Sequence, residues 1–205
     1  MEKPGSRFEL FFHGTLVVAG KRMASIDPQP FFDRRPHLRP VNHPSGMQPR
    51  LARALINLTG ARKGTIYDPF CGSGGFLIEA GSIGLKIIGS DVLPSMVAKA
   101  KENIKAYKIK ARVSVKDATK LTTKMDYVVS DFPYGRNTKQ QNMPKLYLAF
   151  MKKLKHLLKK RAVLVFPDFI DHKKLIKKAK LTIVEEFSQY VHHTLSRTIV
   201  VVEPS

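Results

Sequence analysis

Residues 65–80 read TIYDPFCGSGGFLIEA, and this stretch decides the fold. TIYDP (65–69) is rich in β-branched and aromatic side chains and ends on an acid and a proline, as a short strand does. The chain then turns through Gly72, Gly74 and Gly75 and enters GGFLIEAGS, whose apolar residues suit a helix. Strand, glycine turn and helix form the first unit of a doubly wound sheet. Glycines there let the backbone approach a ligand and take angles closed to other residues. No G-K-[ST] follows, so a phosphate-cradling P-loop is excluded, and the spacing is not the dinucleotide G-x-G-x-x-G.

Downstream the pattern repeats. KIIGSD (86–91) reads as a strand and SMVAKAKENIKAY as a helix; ARVSVKD and MDYVVSD (125–131) read as strands. A long basic helix, the strand AVLVFPD and the helix DHKKLIKKA follow. This alternation predicts a parallel α/β sheet. LTIVEEFSQYV and SRTIVVVE are two strands joined by HHTL with no helix between, which predicts a closing antiparallel hairpin. Upstream, a helix starts at Gln48-Pro49, shows Leu51, Ala54, Leu55 and Leu58 on one face, and stops at Gly60. Earlier still, FELFF and TLVV make a hairpin around His13-Gly14, and DPQPFFDRRPHLRPVNHPSG reads as an extended, irregular arm. The division expected is 1–45, strands and a Pro/Arg-rich arm, and 46–205, the α/β domain.

Of the 205 residues, 36 are Lys or Arg and 16 Asp or Glu, a net charge of +20 spread along the whole chain. An ordinary neutral metabolic enzyme is not the default reading. Such a field selects polyanions, nucleic acid before acidic membrane surfaces. A single cysteine excludes a disulfide framework and a Cys-cluster metal site. The longest apolar runs, AVLVF (162–166) and IVVV (199–202), are too short to span a bilayer, and MEKPGSRF shows no long apolar leader segment. The expected setting is cytoplasmic. Two runs concentrate the charge, KKLKHLLKKR (152–161) and KKLIKKAK (173–180). Leu146, Phe150, Leu154, Leu157 and Leu158 keep helical spacing, so the first run reads as the wet face of an amphipathic helix, with Lys152 and Lys153 on a phosphate-facing surface.

Two acids accompany the glycine turn. Asp91 closes the second strand, where a carboxylate can accept from ribose hydroxyls. Asp117 follows the third strand, within reach of an adenine amino group. Either alone reads as a cap or a loop residue; together with the turn they outline a nucleoside pocket.

The motif that names a chemistry is VVSDFPYGR (128–136). With DPFCGSGG it resembles the class I S-adenosylmethionine-dependent amino-methyltransferases, which carry [N/D/S]-P-P-[Y/F] after the fourth strand. RRPHLRPVNHPSGMQPRLARALINLTGA, DPFCGSGGFLIEA, DFPYGR and the closing QYVHHTLSRTIVVV together resemble the archaeal tRNA guanosine N2-methyltransferases acting at position ten. The resemblance implies a Rossmann-like, mostly parallel seven-stranded sheet with a C-terminal antiparallel hairpin. It implies S-adenosylmethionine against Asp68, Pro69, Gly72, Gly74, Asp91, Asp117 and Ala118, and tRNA as substrate. It places the chemistry at Asp131, Phe132, Pro133 and Tyr134. A guanine N2 amine is a poor nucleophile, because its lone pair is delocalised into the ring. Acceptors on its protons, the Asp131 carboxylate and the Phe132 carbonyl, favour a pyramidal nitrogen. Pro133 fixes the turn that aims them, and Tyr134 can stack on the extruded base.

Two departures stand out. Phe132 occupies the position where the family has proline, which removes a ring constraint and predicts a looser loop with altered activity. The family also carries a THUMP domain and a ferredoxin-like linker ahead of the catalytic domain, whereas here about 45 residues precede it. The THUMP domain is absent, supplied by another chain, or removed from this sequence, and the initial Met does not decide among these. RNA binding would then involve a separate THUMP-type protein or Arg34, Arg35, Arg39, Arg136, Lys152 and Lys153, through salt-dependent phosphate contacts. Rival readings are the same chemistry on rRNA guanine, DNA adenine or protein glutamine, or a non-catalytic RNA-binding protein of this fold. Cys71 reads as a small packing residue. His192 and His193 are adjacent on a strand and point to opposite faces, so no metal is assigned, and Ser130 has no histidine partner for a hydrolase triad.

Overall fold

The computed structural model describes residues 7–43, 46–134, 143–192 and 195–204. It divides into two compact units, 1–33 and 34–205. The sequence pattern puts the boundary at 45/46; in the structure the segment from Arg34 onward packs with the larger unit. The smaller unit is a hairpin of β1 (Phe8–His13) and β2 (Leu16–Lys21), followed by α1 (Gln29–Asp33). Gly14, at φ +57, makes the turn. The arm expected to be irregular therefore holds a helical turn, and a second, Pro36–Leu38, follows in the larger unit.

The larger unit carries α2 (Pro49–Leu58), β3 (Thr65–Asp68), α3 (Gly75–Gly81), β4 (Lys86–Asp91), α4 (Pro94–Ala106), β5 (Ala111–Val115) and β6 (Met125–Asp131). These are followed by α5 (Met143–Leu157), β7 (Leu158–Pro167), α6 (His172–Ala179), β8 (Leu181–His192) and β9 (Leu195–Pro204). The seven strands run in the order β5-β4-β3-β6-β7-β9-β8. Pairings from β5 to β7 are parallel, and those of β9 with β7 and β8 are antiparallel. The expected seven-stranded, mostly parallel sheet with a closing hairpin is what forms.

Period-two alternation explains its two cores. On β7, Ala162, Leu164 and Phe166 face the core that holds α5 and α6, whereas Val163 and Val165 face the core of α2, α3 and α4. On β9, Val200 and Val202 take the first side and Ile199 and Val201 the second. A sheet covered on both faces tolerates near-continuous apolar strands. On α2 the buried residues are Pro49, Ala52, Leu55 and Ile56, so the helix is rotated from the expected face and Ala54 is exposed. On α5, Phe150, Leu154 and Leu157 are buried as their spacing predicted. The helix ends at Leu157, however, and Leu158–Arg161 open β7. No helix among the described residues is long and apolar enough to cross a membrane.

Candidate active site at the carboxyl edge of the sheet

The strand order reverses between β3 and β6, the place where open α/β sheets hold ligands. Asp68, Asp91 and Asp131 are the last residues of β3, β4 and β6, so all three lie at that edge. Asp91 fixes the glycine turn: its Oδ2 accepts the Gly72 N–H at 3.0 Å and its Oδ1 the Leu93 N–H at 3.0 Å. The Cys71 amide donates to the Ser90 carbonyl at 2.9 Å, fastening the turn to β4. Gly72 has φ +49, and a Cβ added to it would meet nothing within 4 Å, so open space lies above the turn. Gly74, at φ +91, packs on Ala100 of α4, where a Cβ would come within 3.4 Å. Lys116 N–H donates to the Asp91 carbonyl at 3.0 Å and brings the end of β5 alongside. There Asp117 caps the short helical turn Ala118–Lys120, its Oδ1 accepting from Thr119 N at 2.9 Å and Oγ1 at 2.7 Å. Those bonds hold its carboxyl below the usual range. Ala118 is buried.

Asp68 and Pro69 lie beneath the turn, both buried. Asp68 is 1% exposed and accepts from Ser130 Oγ at 2.7 Å and Phe70 N at 3.2 Å, bracing β3 against β6. Burial pushes its pKa up to about 7, against the pull of those two hydrogen bonds. Cys71 is buried, and burial raises its thiol pKa, which suits packing rather than reactivity.

Asp131 opens the second half of the site. Its Oδ1 is buried without a hydrogen-bond partner, and its Oδ2 stands 3.5 Å from Tyr134 OH and 3.7 Å from Arg197 Nη2. Burial pushes this carboxyl up to about 7, while Arg197 and the Tyr134 hydroxyl pull it back. Tyr134 OH also accepts from Arg197 Nε at 2.6 Å, and the guanidinium lies 5.7 Å from the ring centroid. Phe132, where a looser loop was expected, is itself closely packed. Its ring is 1% exposed, stacks on Tyr147 at 4.4 Å, and lies 4.8 Å from Phe166 and 5.5 Å from Phe70. Its amide donates to the Val165 carbonyl at 3.1 Å, and the Pro133 carbonyl accepts from Tyr147 OH at 2.7 Å. These ring contacts hold the Phe132 side chain in place, each aromatic pair adding about 0.5–1.5 kcal/mol.

The basic residues separate into two groups. Arg34 and Arg53 both bind Glu79, at 2.7 Å and 2.9 Å, and Glu79 is fully buried. Arg39 is 4% exposed and its Nε donates to the Arg34 carbonyl at 3.1 Å. Arg34 and Arg39 are thus held inside the fold, which corrects their reading as phosphate contacts; Arg35 is half-buried. Lys152 and Lys153 are exposed on α5. Arg136 lies outside the described residues. Lys160 and Arg161 belong to β7, not to the helix, and meet Tyr127 OH and Glu203.

A family model described as "RMKL-like, methyltransferase domain" matches residues 36–198. The chain belongs to that family. Among curated relatives of this RMKL-like domain is the tRNA (guanine(10)-N2)-dimethyltransferase of Methanothermobacter thermautotrophicus, 34% identical over 99% of this chain and 62% of its own length. The chain therefore spans under two thirds of that relative. A probable tRNA (guanine(10)-N2)-dimethyltransferase of Methanothermococcus thermolithotrophicus is 36% identical over 73% of this chain and 95% of its own length. Among solved structures, TrmN from Thermus thermophilus superposes with a TM-score of 0.70 at 21% identity, covering all of this chain and 61% of that one. The likeness shows the same fold.

Sequence reasoning about this RMKL-like domain missed Arg197 and Asn103, and weighed Ser130 only as a hydrolase nucleophile, not as the donor to Asp68. Arg197 sits opposite Pro167 in the β7–β9 register, so the hairpin returns it to the edge where β6 and β7 end. The signal available was one arginine just ahead of the apolar run TIVVV. Asn103, fully buried on α4, clips Val41 through its N–H and carbonyl and also donates to the Ser73 carbonyl, each bond 3.0 Å. No local pattern marks it.

Proposed function

We propose that this domain transfers methyl groups from S-adenosylmethionine to the exocyclic N2 of a guanosine in tRNA, at position ten. The observation that carries the proposal is the Asp131 carboxylate. It is an acceptor with a free lone-pair face, set beside Tyr134 at the same sheet edge as the open glycine turn. The residues present fit the cofactor: open space above Gly72, and carboxylates at Asp91 and Asp117 on adjoining strand ends. Pro69, Gly72, Gly74, Asp91, Asp117 and Ala118 would hold it, with Asp68 bracing the turn from below. When bound it supplies a methyl sulfonium electrophile. Asp131 accepts an N–H of the amine and frees its lone pair, and then takes the proton that the methylated nitrogen sheds. Tyr134 stacks on the base, and the fixed Phe132-Pro133 turn keeps the carboxylate in place. The names of the relatives and the +20 charge favour tRNA over a protein substrate. The setting proposed is the cytoplasm.

The test is methyl transfer from labelled S-adenosylmethionine to tRNA transcripts, followed by nucleoside analysis. N2-methylguanosine or its dimethyl form from the wild type, and none from Asp131→Ala, supports the reading. Transfer that appears only on adding a THUMP-type RNA-binding protein assigns that protein as the partner. A methylated adenine overturns the base assignment, and full activity in Asp131→Ala overturns the site.

A further inference from the structure

We propose that Arg197 selects guanine, by donating a hydrogen bond from its guanidinium to O6 while the Asp131 carboxylate takes the neighbouring N–H groups. The inference rests on the guanosine reading above and goes further, since it assigns a residue to base choice.

A carboxylate alone does not choose among amines. Adenine, guanine and a glutamine amide each offer it an N–H. Asp131, however, does not stand alone: Arg197 Nη2 lies 3.7 Å from its Oδ2, close enough to pair electrostatically but too far for a direct hydrogen bond. Arg197 is anchored by one nitrogen only. Its Nε donates to Tyr134 OH at 2.6 Å, while among the described residues its terminal nitrogens make no hydrogen bond. A guanidinium has five N–H groups in a fixed fork, so donors remain for a ligand. The pair thus presents two acceptor oxygens and, next to them, a charged donor. Guanine's pairing edge is the complement: the N2 amine and the N1–H donate, and O6 accepts. Adenine offers one donor and then a bare ring nitrogen, which would face a carboxylate oxygen lone pair to lone pair. A glutamine amide offers no second donor group. Arginine to guanine O6 is also a pairing that proteins use widely in reading nucleic acid.

The placement fits this role. Arg197 comes from β9, the antiparallel strand beside β7, and is 11% exposed at its side chain. Tyr134, the residue proposed to stack on the base, is the group that holds its Nε. Stacking face, carboxylate and guanidinium therefore form one bonded cluster. The base would meet all three at once.

The experiment compares wild type, Arg197→Met and Arg197→Lys on tRNA carrying either guanine or 2-aminopurine at the methylated site. 2-Aminopurine keeps the target amine but lacks O6. S-Adenosylmethionine binding by calorimetry, measured on each variant, reports a folded site. The wild type is expected to prefer guanine on the order of tenfold or more. Arg197→Met is expected to lose transfer to guanine far more than to 2-aminopurine, so that the ratio shrinks by a similar factor. 2-Aminopurine also lacks N1–H, so the change in ratio reports the joined O6/N1–H edge, which is the edge that the Arg197–Asp131 pair would read. Arg197→Lys, which keeps the charge without the fork, should retain cofactor binding and recover part of the ratio. An unchanged ratio in both variants overturns the role of Arg197 and leaves the guanosine reading standing. No N2 transfer to guanosine by the wild type overturns both.

Discussion

Two carboxyls, Asp68 and Asp131, sit in the same small region, and burial raises both to about 7 for different ends. Asp131 must be ionised to accept the amine N–H. The groups around it are Arg197 and Tyr134 in contact and Asp68 and Tyr147 nearby. Transfer should therefore fall as pH drops through about 7, and initial rates under saturating cofactor should show a single acid limb there. Asp68 makes no such demand, and its effect is on stability. Its carboxyl moves from an ordinary value of 3.8 to about 7 on folding, so between these limits the folded state holds more protons than the unfolded one. Stability is then lost as pH rises through that window, and the loss is complete above about 7. Asp68→Asn keeps an Oδ1 acceptor for Ser130 and Phe70 without the buried charge. It should gain on the wild type by a few kcal/mol as pH rises from about 4 to about 8, because each tenfold difference in proton affinity between the two states is worth roughly 1.4 kcal/mol. Urea unfolding of both proteins across that range, without cofactor, checks it. A constant difference would refute the assignment.

At the scale of elements, Glu79 joins three pieces of chain. Placed on α3 and fully buried, it binds Arg34 from the arm and Arg53 from α2. Removing it takes the carboxylate from two guanidinium groups that are 13% and 18% exposed, of which Arg53 keeps Ser82 Oγ at 2.6 Å. Glu79→Ala should cost about 3–5 kcal/mol in urea unfolding, and Glu79→Gln less. The same contacts explain what the sequence could and could not tell. Strand positions and the parallel or antiparallel class were legible because each strand carries its own apolar pattern, and Asp68, Asp91 and Asp131 were legible as strand-end acids. Glu79, Asn103 and Arg197 were not, since each owes its role to a partner far away in sequence. Arg34 and Arg39 misled for the same reason: a basic arm looks wet until the buried glutamate that draws it inward is known. Lys159–Arg161 looked helical because lysines there continue the α5 pattern, but β7 pairs with β6 from Leu158 onward. Ala54 shows a smaller error of the same kind, a helix face misjudged by part of a turn because the sheet beneath it was not yet placed.

For the whole molecule, charge decides how the substrate arrives. With Arg34 and Arg39 turned inward, the described basic surface is carried by exposed lysines together with Arg7, Arg22, Arg50, Arg62 and Arg112. α5 and α6 pack on the same core, and α6 adds exposed Lys173, Lys174, Lys177 and Lys178 to Lys152 and Lys153. Lysines at this density bind phosphates as point charges, without reading bases, and each contact releases counterions. Affinity for tRNA should fall steeply with salt. Lys152→Ala with Lys153→Ala should weaken binding about equally for all tRNAs and flatten the plot of log affinity against log salt by about one to two. Methyl transfer at saturating tRNA should be unchanged, because neither lysine belongs to the cluster around Asp131. Filter binding at four or five salt concentrations, beside single-turnover rates, separates the two effects. An unaltered slope would move the RNA path off α5, whereas a lower single-turnover rate would mean that the lysines place the base as well as hold the backbone.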